Sequence, residues 1–247
     1  MAVIAVGDFD VADIEARGRS LLSLRTVALE AAGTGPLHLK LALDVHTTSA
    51  RRVVSPMSVH NGPRVSALVA AIQAADPECA GLHVCAETMT GGLATHVDLA
   101  AELGVIVRDG RDFLGPGGAP AWVCAGLGDP SPLDGRPGVA RLCEGFEGTK
   151  PERARAMLEQ YVARLCPPLL RLCVVHGVAL EGHLQNTLVH AVDGRPHGFV
   201  IRDLGGIRIH GPRLCARGWS FAPHPNSFIV TDDLDELRGK LAHTLFH

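Results

Sequence analysis

The sequence predicts an α+β fold, an antiparallel sheet flanked by helices, on three observations. Stretches near the start and around Asp193-Gly194 are β-rich, one of them alternating apolar and polar residues with period two. Longer stretches within 61–77 and 151–177 carry apolar residues at helical spacing. A tract rich in glycine and proline, 110–138, lies between, and divides the chain into two portions, 1–110 and 111–247.

Residues 1–20 are weakly patterned. LLSLRTVAL (21–29) is predicted as a strand and AAGTGP (31–36) as a plain hairpin turn rather than a phosphate-draping loop. LHLKLALDVH (37–46) alternates, with Leu37, Leu39, Leu41, Leu43 and Val45 on one face and His38, Lys40, Asp44 and His46 on the other. That pattern predicts one half-buried strand, with Lys40 pointing away from the core. In TTSARRVVS (47–55) the period changes, and the threonine or serine start predicts a helix N-cap. Thr48 and Arg52, four apart, would then share a helix face.

NGPRVSALVAAIQAADP (61–77) predicts a helix with Pro63 near its start and a DP stop. AGLHVCAE (80–87) and GVIVRDG (104–110) predict strands, and 110–138 a loop region. PERARAMLEQYVARLC (151–166) is one predicted helix, and a second begins at the proline pair of PPLLRLCVVHG (167–177). The terminal LDELRGKLAHTLFH predicts an amphipathic helix.

Bulk properties exclude some classes. The 247 residues carry a formal charge of −3, which gives no basic signal for nucleic acid or an anionic membrane. No apolar stretch approaches the roughly 20 residues of a membrane span. The opening MAVIAVGDFDVADIEARG lacks a basic n-region, so no signal peptide is predicted. Seven cysteines (79, 85, 124, 143, 166, 173, 215) form no C-x-x-C and lack zinc or iron–sulfur spacing. They read as reduced thiols of a cytoplasmic protein.

The chemistry concentrates in EGHLQN (181–186), which follows the apolar LLRLCVVHGVAL. Asp193-Gly194 is a strong hairpin-turn signal, and the hairpin ends in RDLGG. Folding the hairpin brings Asp203 back beside His183 and Asn186. A converging carboxylate and carboxamide can ligate Mg²⁺, a hard ion that prefers oxygen. The layout is that of the kinase catalytic loop and its metal aspartate. A metal-bound triphosphate also needs cations, which SLRT (23–26), Lys40 and TTSARR (47–52) supply.

SLRT, LKLALDVHTTSARR, NGPRVSALV, HGVALEGHLQNTLV and IRDLGG together resemble the NRPS-independent siderophore synthetases, the aerobactin synthetase-like IucA/IucC family, from about Ser20 to Gly206. The resemblance implies a cupped-hand fold with a kinase-like palm. It implies an ATP-dependent ligase that adenylates a carboxylic acid such as citrate or a dicarboxylate. A polyamine, amino-alcohol or hydroxamate nucleophile is then condensed with it. By the same resemblance Ser23, Arg25 and Thr26, with Lys40 beside them, would contact ATP. Thr48 and Arg52 would sit where triphosphate meets the acid, and His183 would face the reacting carboxyl. Glu181, Asn186 and Asp203 would hold Mg²⁺ or nucleotide, with Gln185 a further nucleotide contact.

Family members are more than twice this length, and the histidine–proline motif of their N-terminal half has no counterpart here; APHPN (222–226) lies too far downstream. The expectation is therefore a central piece of the family fold, truncated at its C-terminus, working as a homodimer or with a partner chain that supplies the missing half. Two other readings stand. A small-molecule kinase of the aminoglycoside-phosphotransferase type shares the hairpin layout, but has an aspartate base where this chain reads Glu181-Gly182-His183-Leu184. A non-catalytic ATP-binding fragment or partner subunit would need only the nucleotide contacts.

Overall fold

A computed structural model of the protein describes residues 17–31, 35–47, 50–92, 99–119 and 121–246. It opens with β1 (Gly18–Ser20), β2 (Thr26–Ala31) and β3 (Gly35–Leu41), each antiparallel to the next. The strand predicted over 21–29 is thus interrupted: 21–25 form a tight turn. Leu21 N–H donates to Thr26 O at 2.9 Å and Thr26 N–H to Ser23 O at 2.8 Å.

The single strand predicted over 37–46 is broken at Ala42. β4 (Leu43–Thr47) leaves the first sheet and pairs with β5 (Ala50–Arg52) as a separate hairpin. The helix predicted over 47–55 is therefore a correction: Arg52 lies on a strand opposite Leu43. Thr48 lies outside the described residues. The N-cap signal is real but belongs six residues later. Ser55 Oγ accepts the Ser58 N–H at 3.2 Å, and Pro56 opens α1 (Pro56–Ala75).

Pro63 consequently sits inside α1 rather than near its start. Proline cannot donate to the carbonyl four residues back. That carbonyl, Val59 O, instead accepts the Thr90 hydroxyl at 2.8 Å. The helix buries Val65, Leu68, Val69 and Ile72, the i, i+3, i+4, i+7 stripe its sequence carries.

The predicted strand over 80–87 is two strands in two sheets. β6 (Leu82–Val84) and β7 (Glu87–Gly91) are separated by Cys85 and Ala86, and β8 (Val105–Asp109) follows. The first sheet has the order β1-β2-β3-β8-β7. After 3-10 turns and β9 (Trp122–Val123) come α2 (Gly138–Leu142) and α3 (Lys150–Val174). A capping box between Thr149 and Glu152 starts α3, which then runs through Pro167-Pro168 without the predicted break. Leu165, Leu169, Leu172 and Cys173 continue its buried face across the prolines, so packing outweighs the lost backbone bonds.

β10 (Val178–Ala179), the hairpin β11 (Thr187–Val192) and β12 (Arg195–Ile201), β13 (Arg208–His210), α4 (Gly211–Ala216), β14 (Val230–Thr231) and α5 (Leu234–Phe246) complete the chain. The second sheet runs β6-β12-β11-β9, with β6 parallel to β12. Three short strands, β10-β13-β14, form a third. The main core gathers Val65, Ile72, Leu172, Leu180, Phe199, Ile201 and Ile207 between α1, α3 and the second sheet. Among the described residues no helix is long and apolar enough to cross a membrane. None of the seven cysteines is paired, and burial pushes the Cys79 and Cys124 thiols up to about 11, which leaves both unreactive.

Asp76 ties the two long helices together. It caps α1, its Oδ1 accepts the Glu78 N–H at 3.2 Å, and its Oδ2 lies 2.8 Å from both Arg171 Nε and His176 Nε2. These partners, Arg171 first, lower its pKa from 3.8 to about 2. A carboxylate depressed on folding adds stability above its unfolded pKa, and that stability is lost as pH falls through the folded value. Urea unfolding midpoints of the native protein should therefore drop between about pH 4 and pH 2. Asp76→Asn should be less stable at pH 7 and flatter across that window; an unchanged acid limb would refute the clasp.

Candidate active site

The hairpin β11–β12 turns through Asp193 (φ 50°) and Gly194 (φ 69°). Two successive left-handed residues match the right-handed twist of the strands. Thr187 pairs with Ile201, and Arg202 N–H donates to Asn186 O at 3.0 Å. Asp203 is the next residue, so strand pairing alone returns it to the end of the EGHLQN loop. Its φ of 70° is rare for a residue with a side chain.

The Asp203 carboxylate is met by two cations on one oxygen. Oδ1 receives Arg108 Nη2 at 2.7 Å and also the Lys40 ammonium. Burial alone would raise its pKa, but the charges of Arg108 and Lys40, and the hydrogen bonds they donate, hold the carboxyl well below the usual range. Lys40 is 9% exposed. The expectation that it points away from the core is corrected: the polar face of β3 is the face turned toward this ion cluster. Arg108, on β8, is 1% exposed, and its Nη2 also donates to Glu87 Oε1 at 2.9 Å.

Asp203 opens onto a cavity of about 240 Å³ shared with Ser23, Arg25, Arg52 and Gln185, with Leu43 and Val45 as apolar wall. The turn before β2 presents Ser23 and Arg25, and Arg25 is anchored by donating to Val53 O at 2.6 Å. Burial lowers the Arg25 pKa; Asp203 pulls it back up, while Arg52 and Arg108 push it down. Thr26 does not join them. It is buried in β2 opposite Lys40 and does not line the cavity.

The loop itself is tightly held. Asn186 Nδ2 donates to Glu181 O at 3.0 Å and lies 3.4 Å from His183 Nε2, Thr187 Oγ1 donates to Gly182 O at 2.7 Å, and Arg202 donates to Gln185 O at 3.0 Å. From the other side α5 clasps it. Lys240 Nζ meets Glu181 Oε1 at 2.9 Å. Thr244 Oγ1 donates to Leu180 O at 2.6 Å and accepts the Gly182 N–H at 3.2 Å. The His243 ring stands edge-on to His183 with centroids 5.9 Å apart. A side chain at Gly206 would push the Glu181 carboxylate out of its place, because a Cβ would lie 2.0 Å from Glu181 Oε2.

Burial lowers the His183 pKa; Glu181 and Asp203 oppose this, and His243 and Lys240 reinforce it. His183 is therefore neutral near pH 7 and can accept a proton. Two oxygens are uncommitted among the described residues: Asp203 Oδ2, and Asn186 Oδ1, whose amide nitrogen is taken by Glu181 O. Both are hard donors of the kind Mg²⁺ prefers, so this pair fits that ion. Sequence reasoning missed Arg108, Glu87, Arg202 and Lys240. A lone arginine in the apolar strand VIVRD was the one available signal.

The comparisons with known proteins bear on this geometry. Residues 9–128 match the model of the IucA / IucC family, and residues 156–247 that of the ferric iron reductase FhuF-like transporter family. Staphyloferrin A synthase of Staphylococcus aureus is 31% identical over 92% of this chain and 37% of its own length. D-ornithine--citrate ligase of the same organism is 26% identical over 85% of this chain and 34% of its own length. Among solved structures, the petrobactin biosynthesis protein AsbB from Bacillus anthracis superposes with TM-score 0.76 at 22% identity, over 93% of this chain and 40% of that one. ATP-bound aerobactin synthetase IucA from Klebsiella pneumoniae gives 0.65 at 19% identity, over 90% and 44%. The fold is that of the NRPS-independent siderophore synthetases. Over residues 9–128 the chain is similar to the IucA / IucC family. It spans well under half the length of these relatives.

Proposed function

We propose that this chain is the ATP-binding part of a cytoplasmic siderophore synthetase that activates a citrate-like carboxylic acid and joins it to an amine or hydroxyl. The observation that carries this reading is the Lys40–Asp203–Arg108 cluster opening onto a cavity lined by Ser23, Arg25, Arg52 and Gln185. A cavity with two arginines at its wall and a lysine behind it suits a polyanion, and relatives whose names are those of citrate ligases favour ATP plus an acid.

In this reading residues 1–110 hold the phosphates and the acid, and 111–247 supply the catalytic loop. Ser23 and Arg25 hold the phosphates from the turn, and Arg52 grips the acid where it approaches the α-phosphate. A carboxylate oxygen attacks that phosphorus, the bond to the β-phosphate oxygen breaks, and pyrophosphate leaves. The amine nitrogen then attacks the acyl carbon, AMP departs, and neutral His183 accepts the proton the amine gives up. Two anions must meet in the first step, so fixed positive charge lowers its barrier. Mg²⁺ bound at Asp203 and Asn186, with Glu181 behind them, would draw further charge from the phosphate oxygens.

Hydroxylamine trapping tests the proposal. Incubation with ATP, Mg²⁺ and citrate or succinate should yield a hydroxamate and pyrophosphate in equal amounts. Release of ADP would favour the kinase, whose hairpin layout is shared. ATP binding without either product would favour a non-catalytic partner subunit.

A further inference from the structure

The ligase reading leaves the amine without a place. The cavity beside Asp203 has Arg25 and Arg52 in its wall, and these repel an ammonium group. A second cavity, of about 160 Å³, lies further along the same turn, lined by Leu204 and Gly205. Its polar wall differs in sign and kind.

Glu87 lines this cavity and is 1% exposed. Its Oε1 is taken by Arg108, but Oε2 accepts no hydrogen bond among the described residues. That oxygen belongs to a side chain that lines the cavity, where a ligand cation could meet it. Gly62 faces it across α1, where a Cβ would come within 2.5 Å of Oε2. Ser58 adds a hydroxyl, and Leu204 and Ile229 an apolar wall that suits methylene groups. Arg208 supplies a cation. Its Nη1 donates to Ile207 O, its Nε lies 3.7 Å from Glu236, and its Nη2 has no partner among the described residues. One nitrogen, Arg108 Nη2, links Glu87 of this cavity to Asp203 of the other.

A carboxylate and a guanidinium lining one small cavity match a zwitterion. We propose that this cavity binds the nucleophile of the ligase reaction as an amino acid with a second amine: its ammonium on Glu87, its carboxylate on Arg208, and the remaining amine presented for attack. The assignment rests on the ligase reading for the amine's role, though not for its binding.

Isothermal titration without ATP tests it, with ornithine (both enantiomers) and putrescine, which differ by one carboxylate. Ornithine should bind at least about 10-fold more tightly than putrescine, since a charge-assisted pair is lost. Arg208→Met should bring ornithine down to the putrescine level, and Glu87→Gln should weaken both by about 10-fold or more. Arg208→Met leaves the Arg108 cluster intact, so it should keep ATP affinity unchanged and serves even if Glu87→Gln folds poorly. No ornithine binding, equal binding of putrescine, or ornithine affinity untouched by Arg208→Met would each overturn the proposal. Ornithine binding with no hydroxamate or pyrophosphate would overturn the ligase reading alone. Hydroxamate formed by a chain that ignores ornithine would overturn this assignment alone.

Discussion

Asp203→Asn should lower ATP-dependent hydroxamate formation by about 10²- to 10³-fold, the scale on which a single preorganised electrostatic group acts. The substitution keeps the shape and removes the charge. Lys40 and Arg108 then lose the negative charge on which both converge, and Mg²⁺ loses its one charged ligand of the pair. Pyrophosphate release, measured at saturating ATP, checks the rate. ATP affinity measured separately checks that the loss lies in turnover as well as in binding. A variant that folds and retains activity within a few-fold would remove Asp203 from the chemistry, and with it the reason for calling this cavity the nucleotide site.

Arg108→Met should produce the largest loss of stability, about 3–5 kcal/mol, because it strands two acids at once. Among the described residues Glu87 then keeps no paired cation, and Asp203 keeps only Lys40. The side chains of Arg108 and Glu87 are 1% and 2% exposed, so water cannot replace the missing partner without opening the sheet. Equilibrium urea unfolding reads the change. The double variant Arg108→Met, Glu87→Leu should regain part of it, since the cost lies in an uncompensated buried charge rather than in the absence of an ion pair. Equal instability of the single and double variants would show that Arg108 matters through its packing instead.

Much of this site was legible from local chemistry. The hairpin and the return of Asp203 follow from Asp193-Gly194, because a two-residue left-handed turn fixes the register of everything beyond it. α5 follows from its apolar spacing. The misreadings have a common origin in long-range packing. Period-two alternation locates two faces of β3 but cannot say which is covered. Here the charged face is buried, because an acid from a distant hairpin meets it. Arg52 was assigned to a helix since a hairpin crossing from one sheet to none leaves no period to detect, and the serine that caps α1 lies only three residues beyond. The proline pair was taken as a helix end because local sequence shows the lost bonds and hides the core that compensates for them. Arg108, the lone arginine of an apolar strand, carries a faint local signal, but its partner Glu87, 21 residues away, carries none.

The short link between β6 and β7 has a mechanical meaning. Cys85 N–H holds Ile201 O at 2.8 Å and Ala86 N–H reaches Asp112 Oδ2 at 3.3 Å, so even these two residues are pinned. Two residues span at most about 7 Å when fully extended. At this point the two sheets are joined by a short, hydrogen-bonded link that leaves little slack between them. The 21–25 turn, which brings Ser23 and Arg25 to the cavity, lies at the opposite edge of the first sheet, between β1 and β2.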